Sequence, residues 1–132
     1  MLRFTAVAVG LALLSVALVA QTPVVTGDRS TPLRPVAGEG NVGISNATLR
    51  DQPEVRALRV MVDPGGRRAV HAHTDVKFHL FVPISGAMTL DLDGAGSVEV
   101  QPWHPYYMPA GTQHGFRNRN ADAVEIMEIF VR

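Results

Sequence analysis

Short runs of apolar and β-branched residues, each bounded by turn residues, recur through the second half of the chain. Met88, Leu90 and Leu92 alternate with polar side chains, which is the pattern of a strand with one buried face. No stretch after residue 20 has the period of a long amphipathic helix. Regularly spaced short strands predict an antiparallel sandwich or barrel. The predicted strands are 55–62, 69–73, 78–84, 87–92, 97–100, 106–108, 114–117 and 124–131.

Three segments between these runs have the composition of tight turns. Residues 63–66, 93–96 and 118–121 are rich in glycine, asparagine, aspartate and proline, which favour turn conformations. We therefore predict hairpin connections at all three. The last run, 124–131, is apolar at both odd and even positions, which predicts a strand buried on both faces.

The first 20 residues resemble a secretory signal peptide. Arg3 is their one charge, and 17 uncharged residues follow it before the sequence becomes polar at Gln21. We expect an exported protein, periplasmic or secreted, and no stable membrane partner after cleavage. The alternative is an uncleaved helix that anchors the protein in the membrane. Residues 21–47, rich in proline and glycine, then form an extended arm, and residues 48–132 form the folded domain.

Composition narrows the chemistry of the folded domain. The chain has 132 residues with 12 basic and 12 acidic side chains, and no block of like charge that would bind nucleic acid. It contains no cysteine, which excludes disulfides and thiolate ligands. Any metal ion must be bound through nitrogen or oxygen, so the five histidines are the first candidates.

Four of the five histidines are predicted to meet. His71 and His73 are two residues apart, so on a strand their side chains leave one face roughly 6.5 Å apart and can reach one ion. His79 lies on the next predicted strand, and His114 reaches the others only if the sheet closes. His104 lies in a turn-like segment and is interpreted as a surface or pocket-rim residue.

Two segments resemble the two characteristic motifs of the cupin superfamily. Residues 65–86 read G(x)5HxH(x)5H(x)6G, and residues 109–118 read PxG(x)2H(x)3N. The resemblance implies an all-β antiparallel double-stranded β-helix, the jelly-roll or cupin barrel. It also implies that a homodimer forms through the arm, and that one divalent transition metal ion is bound. The implied metal ligands are His71, His73, His79 and His114.

The sequence departs from the family pattern at three points. His79 stands where the family usually has glutamate, the spacer before it is one residue longer, and Trp103 replaces the opening glycine of the second motif. Asp75 is the alternative fourth ligand, because a carboxylate binds metal ions well. Imidazole ligands do not distinguish iron, zinc, copper, nickel and manganese from one another.

The predicted partner is a small-molecule ligand or substrate. The resemblance favours a metal-dependent enzyme, an oxidoreductase of dioxygenase-like type, in which Tyr107 is the candidate catalytic acid. Phe81 is a further candidate for the cavity wall, and Arg117 is one for attracting an acidic substrate. The alternatives are a module that binds a metal or small ligand without turnover, and a metal-free structural barrel.

Overall fold

A computed structural model describes residues 27–132, and the protein is built entirely of strands and loops over that range. The all-β prediction is confirmed there, and these residues include no helix long and apolar enough to cross a membrane. The predicted signal peptide and the first six residues of the arm lie outside the described residues. The strands are β1 (Arg34–Pro35), β2 (Val42–Asp51), β3 (Val55–His71), β4 (Phe78–Pro83), β5 (Met88–Leu92), β6 (Gly96–Val100), β7 (Tyr106–Pro109), β8 (His114–Arg117) and β9 (Val124–Val131).

The long strand β3 connects two halves of one antiparallel sheet, whose order is β6-β5-β8-β3-β9-β4-β7. Its residues 55–62 pair with β9, whereas its residues 67–71 pair with β8. The two halves face each other across the core, where the rings of Phe81 and Phe116 lie 5.1 Å apart. This arrangement confirms the predicted jelly-roll type of barrel.

The segment 63–66 is a kink within β3 and not the predicted hairpin. The register of β2 against β3 shifts here, and Gly65 has a φ of 71°, which glycine adopts at little cost. The backbone N–H of Gly65 donates to the carbonyl of Asn118, and the N–H of Asn118 donates to Gly66. Turn-forming residues therefore bend a continuous strand at the point where it changes its partner.

The other two turn predictions have different outcomes. Residues 93–96 connect β5 to its antiparallel partner β6, as predicted. Residues 118–121 connect β8 to β9, which lie on opposite sides of β3, so this segment is a loop and not a hairpin turn. The Asn118 side chain holds the loop by donating to the carbonyls of Val62, at 2.9 Å, and Asp122, at 2.8 Å.

Strand β9 is buried on one face, which corrects the prediction of burial on both. Its residues alternate strictly between buried and partly exposed positions. A strand in the wall of a barrel has only one face toward the core, so the apolar residues at the other positions keep part of their exposure.

The arm contributes to the barrel. Strand β2 runs across the boundary expected between residues 47 and 48 and pairs with β3 along its length. Ile44 and Ala47 are buried, at 6% and 5% exposure. Because β2 covers the first half of β3, it forms one wall of the cavity in front of the histidines.

Candidate metal centre

The four histidines singled out by their spacing lie together inside the barrel. The pairing of β3 with β8 sets His71 directly opposite His114, and their ring centroids are 4.5 Å apart. The ring of His73 lies 4.8 Å from that of His71 and 5.2 Å from that of His79. The ring of His79 lies 5.1 Å from that of His114. The geometry thus brings two distant segments of the sequence to one place.

Local backbone contacts hold these two segments against each other. The N–H of Gly111, in the turn before β8, donates to the carbonyl of His73 at 2.8 Å. A Cβ atom on Gly115 would lie 2.7 Å from the carbonyl oxygen of Arg68, so only glycine permits this approach of β8 to β3. The residue after His114 therefore helps to set the distance between His71 and His114.

Hydrogen bonds fix the protonation of two imidazoles. The Nδ1 atom of His71 lies 2.9 Å from the carbonyl oxygen of Ala69, and that of His114 lies 2.8 Å from the carbonyl oxygen of Thr112. A carbonyl only accepts, so in both rings Nδ1 carries the proton and the lone pair of Nε2 is free. A hydrogen bond of this kind orients metal-binding histidines in many proteins.

The cluster contains buried nitrogen atoms without hydrogen-bond partners among the described residues. They are Nε2 of His73, Nε2 of His114 and both ring nitrogens of His79. Leaving a buried polar atom unpaired costs roughly 1–3 kcal/mol, so a group of them at one point is unusual for a packed core. A metal ion is one group that would satisfy them together, and the donor set fits one.

Glu128 is a member of this cluster that the spacing of the histidines did not reveal. It is 7% exposed, and its Oε1 atom lies 3.5 Å from Nε2 of His79. The sequence did carry a signal, because Glu128 has the same parity as Ile126 and Phe130, which face the core in β9. The apolar residues at both parities of this strand obscured which face was buried.

Two groups of three side chains have ligand atoms within 4.8 Å of one another. They share His114, and the second group includes the carboxylate of Glu128, a negative charge that imidazole ligands alone do not supply. Imidazole nitrogen together with one carboxylate is a donor set suited to divalent transition metals. The two groups are His71, His73 and His114, and His79, His114 and Glu128.

Burial favours the neutral form of His71, His73 and His114. Loss of solvent lowers the pKa of His73 to about 4, and the nearby His71 and His79 act in the same direction. Burial also lowers the pKa of His114 to about 4, although its hydrogen bond to Thr112 acts in the opposite direction. The pKa of His71 is lowered for the same main reason. Neutral imidazole is the form that binds metal ions.

The carboxyl group of Glu128 remains ionised in spite of its burial. Loss of solvent acts to raise its pKa, but the interaction with His79 and, at acidic pH where they are protonated, attraction to the neighbouring histidines hold the pKa below its ordinary value. A carboxylate is therefore available in the interior, either as a ligand or as a proton acceptor.

The structure does not bring Tyr107 to the histidines. Tyr107 is 57% exposed and pairs in register with Leu80, while its neighbour Met108 pairs with His79 and is buried. Successive residues of a strand point to opposite faces, so the Tyr107 side chain lies outside the barrel, where its ring contacts that of Phe78. Its predicted catalytic role therefore has no support in the geometry.

The remaining candidates lie in four different settings. Phe81 is fully buried in the core. Asp75 is exposed at the rim of the cavity and belongs to neither ligand group. Arg117 binds both carboxylate oxygens of Asp91, at 2.6 and 2.7 Å, and is not free to attract a substrate. His104 is exposed, as expected.

Comparison with known proteins places these observations in a family. The family model of the cupin domain matches residues 58–130. The polyketide cyclase RemF from Streptomyces resistomycificus is 22% identical, with a TM-score of 0.68 over 77% of this chain and 74% of that one. KdgF from Halomonas sp. is 22% identical, with a TM-score of 0.63 over 76% and 86%. An RmlC-like cupin from Shewanella frigidimarina is 17% identical, with a TM-score of 0.66 over 83% and 91%. These identities show the fold alone, and no curated protein matches the sequence.

The low pKa values of His73 and His114 predict how the stability of the metal-free protein depends on pH. Both groups take up protons near pH 6.5 when unfolded but only near pH 4 when folded. The unfolded state therefore binds more protons between these values, and the free energy of unfolding falls as the pH drops from about 6.5 to about 4.

Urea unfolding of chelator-treated protein across this range measures the effect. A His73→Asn variant should show a shallower dependence on pH, whereas His104→Asn, at an exposed position, should keep that of the wild type. Equal slopes in the wild type and the His73→Asn variant would contradict the burial of a neutral imidazole at this position.

Proposed function

Because this chain belongs to the cupin family, we propose that its buried histidines bind one divalent transition metal ion and that the protein acts through this ion on a small molecule. The observation that carries the proposal is the convergence of unpartnered imidazole nitrogens in the barrel. The neutral state of His71, His73 and His114 and the Nδ1 hydrogen bonds of His71 and His114 leave lone pairs free for an ion.

In this proposal His71, His73 and His114 are three ligands of the ion, and His79 is the fourth. Three of these side chains come from the ends of β3 and β8 or the adjoining loop, where the backbone is held by the sheet. His79 comes from β4, and its ring stacks on that of Phe130 at a centroid distance of 4.4 Å. That stacking restrains the ring in the absence of a hydrogen bond.

Glu128 would act beside the ion and not as a ligand. Its carboxylate faces Nε2 of His79 at 3.5 Å, so it can orient that ring and accept a proton from a substrate in the cavity. When bound, the ion would polarise an oxygen atom of the substrate as a Lewis acid. Phe116, Phe130 and Val60 line the same cavity and exclude water from this region.

The cavity limits the size of the substrate. Its volume is about 200 Å³, below the roughly 300–1,000 Å³ of pockets for drug-sized ligands. RemF is described as a polyketide cyclase, and another cupin of this fold, from Silicibacter pomeroyi, is described as a sugar phosphate isomerase. A shared fold does not specify the reaction, so dioxygenase-like oxidation remains one proposal among metal-dependent reactions.

A non-catalytic binding module is the second candidate. The outward position of Tyr107 favours it, because Glu128 is then the one acid or base besides the histidines that lies within the cluster among the described residues. The two candidates differ in what the carboxylate of Glu128 does, since a binding module does not need a proton acceptor.

We also propose that the protein is exported, on the basis of residues 1–20. The mature chain is expected to begin close to Gln21 and to be found outside the cytoplasm. Intact mass measurement of protein from fractions of the native host tests this. A chain that retains residues 1–20 in the membrane fraction would support the anchored alternative, and retention in the cytoplasm would contradict export.

Variants of the ligands test the metal centre. His114→Ala removes the side chain common to both ligand groups and should lower the bound metal from one ion per chain to a small fraction, measured by elemental analysis. His104→Ala is the matched control and should retain the full content. Undiminished metal in His114→Ala, with the fold intact, would contradict the proposed site.

Glu128→Gln separates the two candidate functions. It keeps the size of the side chain but removes its charge. The variant should bind metal with at most about a 10- to 100-fold loss of affinity, which is typical when a residue that contacts a metal ligand is changed. An enzyme that uses this carboxylate would lose turnover with full metal content. Unchanged turnover at full metal content would contradict the role of Glu128 as proton acceptor, and loss of the metal would show that Glu128 is itself a ligand.

A further inference from the structure

Two arginines without a carboxylate partner line the cavity in front of the histidine cluster. Arg56 and Arg68 both contribute to its wall, together with His71, His73 and Glu128. Neither guanidinium forms a hydrogen bond or an ion pair within residues 27–132. A cation near a metal centre raises the positive potential of the cavity, so these two side chains bear on what the cavity binds.

Other arginines of the protein do have carboxylate partners. Arg59 binds Glu125 at 2.7 Å, and Arg117 binds Asp91 at 2.6 Å. Arg132, which also lines the cavity, binds Asp51 at 3.0 Å. Arg56 and Arg68 thus differ from these three in facing the cavity with their charge uncompensated.

The position of Arg56 is fixed by the register of the sheet. It lies opposite Phe130 in the pairing of β3 with β9 and shares the inward face of β3 with Leu58 and Val60. Its Nε atom is buried and has no hydrogen-bond acceptor among the described residues. A buried N–H of a charged group is costly to leave unpaired, which indicates that an acceptor occupies this place when the protein functions.

Arg68 approaches the same space from the second half of β3. In the pairing of β3 with β8, Arg68 lies opposite Phe116, and the side chain of Phe116 is buried in the core. Arg68 precedes His71 by three residues. The cavity therefore has one arginine on each half of the strand, with the histidine cluster beside them.

The carboxylates of the cavity do not neutralise these charges. Glu128 faces His79, and Asp75 is exposed at the rim and forms no ion pair with either arginine among the described residues. With the proposed divalent ion in place the cavity would be strongly positive. An anion is the ligand that matches it.

We propose that the cavity binds a small organic acid, whose carboxylate is held by Arg56 with Arg68 as a second cation, while another oxygen faces the histidine cluster. This inference rests on the proposed function and names the substrate class of the same site. The planar fork of a guanidinium matches both oxygens of a carboxylate. Leu58, Val60 and Phe130 provide apolar wall for a carbon skeleton, which an inorganic anion does not have.

Binding of lactate, pyruvate and malonate, followed by NMR titration of the full mature chain, tests the proposal. At least one of these acids should bind, and the matching neutral amide should bind about tenfold more weakly or worse, because it lacks the charge. Arg56→Gln should weaken binding of the acid by about tenfold or more. Arg56→Lys, which keeps the charge but loses the fork, should recover only part of the affinity.

Arg119→Gln is the matched control, since it removes one positive charge at an exposed position. It should bind the acid as the wild type does. Metal content of Arg56→Gln should stay unchanged and its thermal stability should not fall, which excludes loss of fold as the cause. Binding that is equal for acid and amide, or unaffected by Arg56→Gln, would overturn the proposal.

Two further arms separate the possible failures. Titration of the metal-free protein shows whether Arg56 binds the acid without an ion. If the protein binds no metal but still binds the acid through Arg56, the proposed metal-dependent function is contradicted and the proposed acid site is not. Titration with inorganic phosphate tests the other oxyanion. Arg56-dependent binding of phosphate, with none of the three acids bound, would overturn the assignment to a carboxylate.

Discussion

The antiparallel pairing of β3 with β8 is the contact on which the site depends. It puts His71 opposite His114, two residues that are 43 positions apart in the chain. It requires a glycine at position 115, where a Cβ atom would meet the backbone of β3 at 2.7 Å. Strand β3 pairs with β9 on the other side of a bend at Gly65. Backbone hydrogen bonds of Asn118 to Gly65 and Gly66 hold this bend. Backbone hydrogen bonds therefore connect the two motifs directly to each other.

The pairing of β3 with β8 places polar side chains together in the interior of the barrel. Buried nitrogens of His73, His79 and His114 and one carboxylate oxygen of Glu128 have no hydrogen-bond partner among the described residues. A packed core does not normally tolerate such a group of unpaired atoms, because each one destabilises the folded state. The arrangement becomes reasonable if the energy lost in folding is recovered when an ion and an acidic ligand bind. The same unpaired buried atoms would then lower the stability of the empty protein and favour binding of the ion.

Spacing along the chain predicts most of the strands and the convergence of the four histidines. The HxH pair fixes one face of a strand, and the structure places its partner residues His79 and His114 beside it. Glu128 was missed because β9 is apolar at both parities, so the sequence did not indicate which face was inside. The face of Tyr107 was assigned wrongly because its strand is only four residues long and has no clear alternation.

The kink at residues 63–66 and the loop at 118–121 show a second limit. Turn-forming residues were identified correctly, but what a turn connects depends on which strands pair, and that is a property of the whole sheet. The positions of the cavity arginines likewise depend on how the strands of the whole sheet pair. Nothing in the spacing of Arg56 and Arg68 predicts that both face one cavity, since a kink and a register shift lie between them.

X-ray absorption spectroscopy of the mature protein loaded with a single metal, such as zinc, tests the central claim most directly. Backscattering from imidazole rings reports how many histidines surround the ion. We expect one ion per chain with at least three imidazoles in its inner shell. An inner shell of oxygen atoms with one imidazole or none would contradict it, because the ion would then be bound elsewhere on the protein.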